Sequence, residues 1–157
     1  MPRTPLDCHE RALALLAVRP RSRRELRARL LRAGFEADEV DGELERLEAV
    51  GLVDDEEYAR RVAEHELMVR LSGRRAIVSR LAARGVDRET IDRALDEAGV
   101  PDEERALELA RGRARRLGGL APEQAFARLV GFLARRGYDH ALARRAARAA
   151  LGVEADD

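Results

Sequence analysis

Residues 21–47 read RSRRELRARLLRAGFEADEVDGELERL, and residues 73–95 read GRRAIVSRLAARGVDRETIDRAL. Aligned on their glycines, Leu26, Leu30, Gly34, Phe35, Val40 and Leu44 fall on Ile77, Leu81, Gly85, Val86, Ile91 and Leu95 with identical offsets. Apolar residues spaced by three and four positions line one face of a helix, so each stretch reads as two helices joined at a glycine turn. A third copy keeps Leu129, Leu133, Gly137 and Tyr138 and is then one residue shorter, with Leu142 in the place of Val40. A further helix precedes each pair, because Glu10-Arg-Ala-Leu13 returns as Glu104-Arg-Ala-Leu107, with Glu57-Tyr-Ala59 midway between. A period of 47 to 52 residues suits a helical repeat array. No stretch alternates β-branched or aromatic residues in the manner of a strand, and Ala, Leu, Arg and Glu favour helix interiors.

The expected fold is therefore all-α, a tandem array of three three-helix, helix-turn-helix-like repeats, elongated and curved. The units are placed at 10–52, 53–100 and 101–151, after an N-terminal extension over 1–9 and before a frayed tail over 152–157. Helices are predicted near 8–18, 22–33, 38–50, 55–70, 73–84, 88–98, 102–116, 122–136 and 139–151. Ser22 and Glu25 have the spacing of a capping box, and Pro122 suits a first helical turn. Gly34, Gly85, Gly137, Gly51 and Gly99 are placed to end helices in the left-handed conformation. The acidic runs Asp54 to Glu57 and Asp102 to Glu104 complement the dipoles of the helices they open.

Composition excludes much. The 157 residues carry 30 Arg and 30 Asp plus Glu, for a net charge of zero, and no Lys. Without Lys there is no P-loop lysine and no Schiff base. Aromatics make up 3% and Trp is absent, which is too little for a stacking platform on single-stranded nucleic acid. The lone Cys8 forms no internal disulfide and has no orienting partner in the sequence. His9, His65 and His140 are scattered and read as ordinary surface or half-buried residues. Four clustered carboxylates at Asp54 to Glu57 are hard enough to hold a divalent ion, but capping is the stronger reading of a run at a helix start. No catalytic residue, metal site or cofactor is expected, and the chain is read as a non-enzymatic protein. No apolar run approaches a membrane span and no targeting segment is evident, so a cytoplasmic monomer is expected.

Charge placement says more than its sum. Residues 19–32 hold seven Arg and one acid, 36–57 one Arg and eleven acids, and 60–84 seven Arg and two acids. The sign flips again over 87–104, with eight acids and two Arg, and over 128–148, with six Arg and one acid. The middle helix of each unit is basic; the third helix is acidic in units one and two and basic in unit three, through Arg144, Arg145 and Arg148. Pairing between neighbouring helices explains this alternation as well as an external partner does. Duplex reading by a helix-turn-helix is disfavoured in units one and two, because the helix that would enter the groove is acidic and the chain has no Asn and one Gln, Gln124.

Ser22-Arg-Arg-Glu-Leu26, Leu30, Gly34-Phe35, Leu44-Glu-Arg-Leu47 and Gly51-Leu-Val-Asp-Asp55 followed by Tyr58-Ala59 resemble the first part of the RecX regulatory proteins. The resemblance continues through Gly73-Arg-Arg-Ala-Ile77, Leu81, Arg84-Gly-Val86, Ile91 and Ala94-Leu95 to Phe132-Leu-Ala-Arg-Arg-Gly-Tyr138, and covers residues 10 to 151. Tyr58 stands where relatives usually carry Phe, and residues 65–72 lack the fuller Arg/Gly linker, which bears on the path between units one and two. The resemblance implies a modulator that lies along the RecA recombinase filament and typically inhibits its ATPase, strand exchange and coprotease activities, in DNA repair, homologous recombination and the SOS response. Filament- or DNA-contacting candidates are then Arg23, Arg24, Arg27, Arg74, Arg75, Arg135, Arg136, Arg144 and Arg145, with acidic helices facing recombinase. The alternative reading is a small helical DNA-binding regulator that acts directly on nucleic acid through unit three and the Arg-rich helices.

Overall fold

The computed structural model describes residues 4–153; the tail expected from residue 152 lies, from 154 onward, outside them. Among the described residues there are nine α-helices and no strand: α1 (Cys8–Val18), α2 (Arg23–Arg32), α3 (Ala37–Ala49), α4 (Asp55–Met68), α5 (Arg74–Ala83), α6 (Arg88–Ala98), α7 (Asp102–Ala114), α8 (Pro122–Arg135) and α9 (His140–Leu151), with a 3-10 turn at Arg115–Leu117. Every helix pair in extensive contact lies within one unit: α1 to α3, α4 to α6 or α7 to α9.

Three separate cores follow. Unit 1 buries Cys8, Ala12, Leu26, Leu30, Val40, Leu44 and Leu47, so α1 and its first residue belong to the folded unit. Ala59, Ile77, Leu81, Ile91 and Leu95 occupy the matching places in unit 2, and Ala106, Leu129, Leu133 and Leu142 in unit 3. Each repeated leucine or isoleucine of the middle helices is 0% exposed, which places the glycine-aligned register of the sequence on the core face. Gly34, Gly85 and Gly137 adopt φ of 100°, 86° and 98°, the left-handed region where a side chain is strained. Ser22 accepts from the Glu25 amide at 3.2 Å, but the reciprocal half of the box is missing because Glu25 pairs with Arg19 and Arg21. A full capping box stands instead at Asp7 and Glu10.

The units meet through one joint used twice. The N-terminus of α2 abuts the turn that ends α5: the Ser22 hydroxyl donates to the Arg84 carbonyl, and the Arg23 amide donates to the Asp55 carboxylate at 2.8 Å. The N-terminus of α5 abuts the turn that ends α8: the Gly73 amide donates to the Arg136 carbonyl at 2.8 Å, and the Arg74 amide reaches both Asp102 oxygens at 3.3 Å. In both joints an orphan amide meets a first-turn carboxylate of the next unit and the residue before it donates to a turn carbonyl, by its hydroxyl in Ser22 and its amide in Gly73, with opposite dipole ends facing. Asp54 caps its own helix through the Glu57 amide, whereas Asp55 and Asp102 cap a neighbour's helix. The register explains which positions serve: Cys8, Asp55 and Asp102 each stand four residues before Ala12, Ala59 and Ala106. Unit 1 has a buried thiol where the other two have the carboxylate. At the far end, α8 begins seven residues before Leu129, while α2 and α5 begin three before Leu26 and Ile77.

The second joint is the heavier. Arg105, 3% exposed, donates from Nε to the Ser72 carbonyl at 3.1 Å and from Nη1 to the Val100 carbonyl at 2.6 Å. The Tyr138 hydroxyl donates to the Leu71 carbonyl at 2.5 Å, and the Arg136 guanidinium to the Arg70 carbonyl. Burial pushes the Tyr138 phenol up to about 12, so it remains a donor through the neutral range. Residues 69–73 therefore lie at the joint between units two and three and not on the path between units one and two, because α4 runs to Met68 within unit 2.

A Cβ at Gly73 would fall against the Gly137 carbonyl and 2.7 Å from the Tyr138 nitrogen, whereas one at Gly42 in α3 meets nothing within 4 Å. Gly73→Ala is expected to lose about 1–3 kcal/mol by overpacking, and Gly42→Ala to gain about 0.5–1 kcal/mol from helix propensity. Urea unfolding midpoints check both, and a Gly73→Ala midpoint at or above the wild-type value would show that the backbone contact does not hold the joint.

Candidate functional site

The nine candidate arginines divide into two groups. Arg23 pairs with Glu48 at 2.7 Å, Arg27 with Asp41 at 2.7 Å, and Arg74 with Asp92 at 3.3 Å and Asp96 at 3.1 Å. Each pair joins a basic middle helix to the acidic third helix of its own unit, so pairing between neighbouring helices accounts for these three. The Arg27 guanidinium holds the Asp41 carboxyl below its usual range, and Arg88, with Arg74, does the same to Asp92. Arg24, Arg75, Arg135, Arg136, Arg144 and Arg145 have no carboxylate within 4 Å among the described residues.

Arg24 lies in a groove of about 600 Å³ across the first joint, where Arg19, Arg29, Arg32 and Arg84 join it against the single acid Glu25. Its stem occupies the space beside Gly85, where an added Cβ would come within 2.6 Å. The arginines of α8 and α9 form a second basic region. There Arg144 and Arg148 flank the Phe126 ring at 5.4 Å and 5.6 Å from its centroid, an arrangement that fixes guanidinium planes at the surface. Nothing brings all nine into a single cluster.

The acidic helices differ from each other as well. On α6, Glu89, Asp92, Asp96 and Glu97 each meet an arginine, at 3.1–3.7 Å. Glu36, Asp38, Glu39 and Glu45, in and before α3, meet none among the described residues, so the unpaired carboxylates described lie on α3 rather than on both acidic helices.

Residues suspected of chemistry have structural employment. Asp54 caps, Asp55 accepts across the joint, Glu56 pairs with Arg93 at 3.0 Å, and Glu57 pairs with Arg60 and Arg61 at 2.7 and 2.9 Å. Burial pushes the Asp55 carboxyl up against the opposing Arg23 amide. No group of three or more His, Cys, Asp or Glu is placed to hold a metal among the described residues. Burial, followed by Glu39 and Glu43, pushes the Cys8 thiol up, away from the thiolate a nucleophile needs. Glu43, its side chain 1% exposed, accepts from His9 Nδ1 at 2.5 Å and Arg46 at 2.8 Å, tying α1 to α3.

Sequence reasoning treated every arginine as surface charge and so overlooked Arg105 and Arg21, 3% and 6% exposed. The signal for Arg105 existed: it occupies the repeat position of Tyr58, itself 6% exposed.

Three family models match the chain: the RecX first three-helix domain over residues 8–47, the second over 54–95 and the third over 101–147. The "Regulatory protein RecX" of Mycolicibacterium vanbaalenii is 41% identical over 139 residues, which cover 83% of this chain and 75% of that one. Its counterpart in Thermobifida fusca is 37% identical over 160 residues, covering 97% and 86%. The crystal structure of RecX from Lactobacillus salivarius superposes with a TM-score of 0.78 at 19% identity, over 91% of this chain and 94% of that one, a likeness of fold. No described helix is long and apolar enough to cross a membrane.

Glu66, 5% exposed, sits behind the second joint with bonds from the Ser72 hydroxyl at 2.6 Å and from Arg80. Burial alone would raise its carboxyl, but Ser72 and Arg80 outweigh burial and hold it below the usual Glu range. A carboxyl depressed by folding contributes stability that is complete above the ordinary value near 4.3 and is lost as pH falls through the depressed one. Glu66→Gln is expected to be about 1–3 kcal/mol less stable at neutral pH, with the gap closing below about pH 4. Urea midpoints measured from pH 7 to pH 3 test this, and a gap that is constant with pH would refute it.

Proposed function

The chain belongs to the RecX family of regulatory proteins, and from that membership we propose that it binds the RecA recombinase filament and modulates, typically by inhibition, its ATPase, strand-exchange and coprotease activities. Such an activity serves DNA repair, homologous recombination and the SOS response in the cytoplasm, and needs neither cofactor nor catalytic residue in this chain. The observation that carries the reading is the division of the charges. Arg23, Arg27 and Arg74 are taken up by carboxylates of their own units and Arg136 by the Arg70 carbonyl, while Arg24, Arg75, Arg135 and Arg145 are exposed on three separate units with no carboxylate partner among the described residues.

A filament presents the same protein surface at regular intervals beside DNA phosphate. Three units held by hydrogen-bonded joints offer several weak contacts at set distances, which add through effective concentration once one has formed. The outward arginines suit acidic protein surface or phosphate, and the free carboxylates of α3 suit basic protein surface. A body bridging neighbouring protomers opposes the motion that accompanies nucleotide turnover, and that opposition is the inhibitory mechanism. The second reading, direct action on nucleic acid, is favoured by unit 3, where α8 and α9 are both basic and Arg144 and Arg145 have no acidic partner among the described residues.

Adding purified chain at stoichiometric ratios is expected to lower the DNA-dependent ATPase of its cognate recombinase. The triple variant Arg75→Ser/Arg135→Ser/Arg145→Ser should keep the wild-type unfolding midpoint and need at least about tenfold more protein for the same inhibition. An unchanged ATPase rejects the inhibitory reading. Equally tight, steeply salt-dependent binding to bare DNA without recombinase would favour the second reading.

A further inference from the structure

Behind the second joint lies a cleft of about 770 Å³, bounded by α7 from Glu104 onward, the 3-10 turn, α8 and the loop residue Leu71. We propose that this cleft is a docking site for an acidic peptide segment of a partner protein that carries an apolar anchor residue. The proposal rests on the reading of the chain as a protein-binding regulator only in requiring a protein partner.

Four guanidiniums, of Arg111, Arg113, Arg115 and Arg116, line the cleft, and none has a carboxylate within 4 Å among the described residues. The dipole of α7 explains cations in its last turn, Arg111 and Arg113, but Arg115 and Arg116 stand beyond the helix in the 3-10 turn. Planar guanidiniums with free donors match carboxylates two bonds at a time. Glu104 and Glu108 also line the cleft and precede the four arginines along the chain, so its positive charge is gathered toward and beyond the C-terminal end of α7. A continuous phosphodiester strand running its length would meet these two carboxylates, whereas a short acidic peptide need not.

The apolar lining points the same way. Leu71, Leu107 and Leu109 are aliphatic, and the one ring, Phe132, already lies under Arg113 at 5.0 Å. Nucleic-acid bases bind by stacking on open aromatic faces; aliphatic walls ringed by arginine suit a leucine- or phenylalanine-like side chain flanked by acids. Leu71 is held in place at some cost. It is the one non-glycine residue with positive φ among those described, at 52°, a conformation that costs an L-residue about 1–2 kcal/mol. The bonds from Tyr138 to its own carbonyl and from Arg136 to that of Arg70 maintain it. The same bonds form the second joint, so the cleft wall and the angle between units two and three are built from one set of contacts.

The test uses the full chain and fluorescence anisotropy with three labelled probes: the peptide Glu-Asp-Leu-Phe-Asp-Glu, the same peptide with both apolar residues changed to Ala, and an oligothymidylate of similar length. The first is expected to bind, the alanine version at least about tenfold more weakly, and Arg115→Ser/Arg116→Ser to lose a similar factor for the first. Arg60→Ser/Arg61→Ser, on α4 and outside the cleft lining, should leave peptide binding unchanged. Circular dichroism confirms that the exposed substitutions fold. Absence of peptide binding, equal binding of the two peptides, or indifference to Arg115→Ser/Arg116→Ser overturns the proposal. Oligothymidylate binding lost in that variant, without peptide binding, assigns the cleft to nucleic acid and also overturns it. No recombinase is present, so a negative result leaves the ATPase reading standing.

Discussion

Everything outward-facing depends on a few amide hydrogens at the start of α2 and α5. A helix leaves its first N–H groups without partners, and here the next unit supplies them: the Asp55 carboxylate for Arg23, and the Arg136 carbonyl and Asp102 carboxylate for Gly73 and Arg74, with the Ser22 hydroxyl bonded to the Arg84 carbonyl beside the first. Three-helix units of this size bury few side chains, and cores of about 40 residues are marginal alone. The joints thus add stability and set orientation together, and the relative placement of the basic grooves follows from backbone bonds.

The charge on this protein does two different things. Where a basic helix faces an acidic one in the same unit, arginine and carboxylate satisfy each other, and such exposed pairs contribute about 0–1 kcal/mol each. In unit 3 the third helix is basic, and among the described residues its arginines have no carboxylate partner, while Arg144 and Arg148 lie across the Phe126 ring. Net neutrality therefore conceals an uneven molecule, with its free negative surface on α3 in unit 1 and its largest free positive surface in unit 3. That polarity suits a partner of composite charge and disfavours a uniformly polyanionic one.

Much of this was legible from residues 21–47 and 73–95. Leu26 with Ile77 and Leu129, and Gly34 with Gly85 and Gly137, specify helix faces and turns through local geometry, which short windows of sequence contain. The partners of Arg23, Arg27 and Arg74 were not legible, because a guanidinium on a solvated face reads the same whether the carboxylate opposite is 14 or 25 positions away. Asp55 and Asp102 were read correctly as first-turn carboxylates of α4 and α7; that they also accept from the amides of Arg23 and Arg74 was not legible, since those amides belong to another unit and only packing brings them together. Arg105 shows the limit in reverse. Its alignment with Tyr58 marked a buried position, yet the carbonyls of Ser72 and Val100 that make a buried guanidinium tolerable come from loops without periodicity.

The two ends of the array are chemically unlike its middle. Cys8 stands at the register of Asp55 and Asp102, and α8 opens a turn early on Pro122, which has no N–H to give a further unit. The joint chemistry used twice in the interior is therefore not repeated at Cys8 or at the start of α8: the middle unit alone both donates from its second helix and accepts on the first turn of its first. In this sense it works as a coupling with two unlike faces, while each outer unit presents only one.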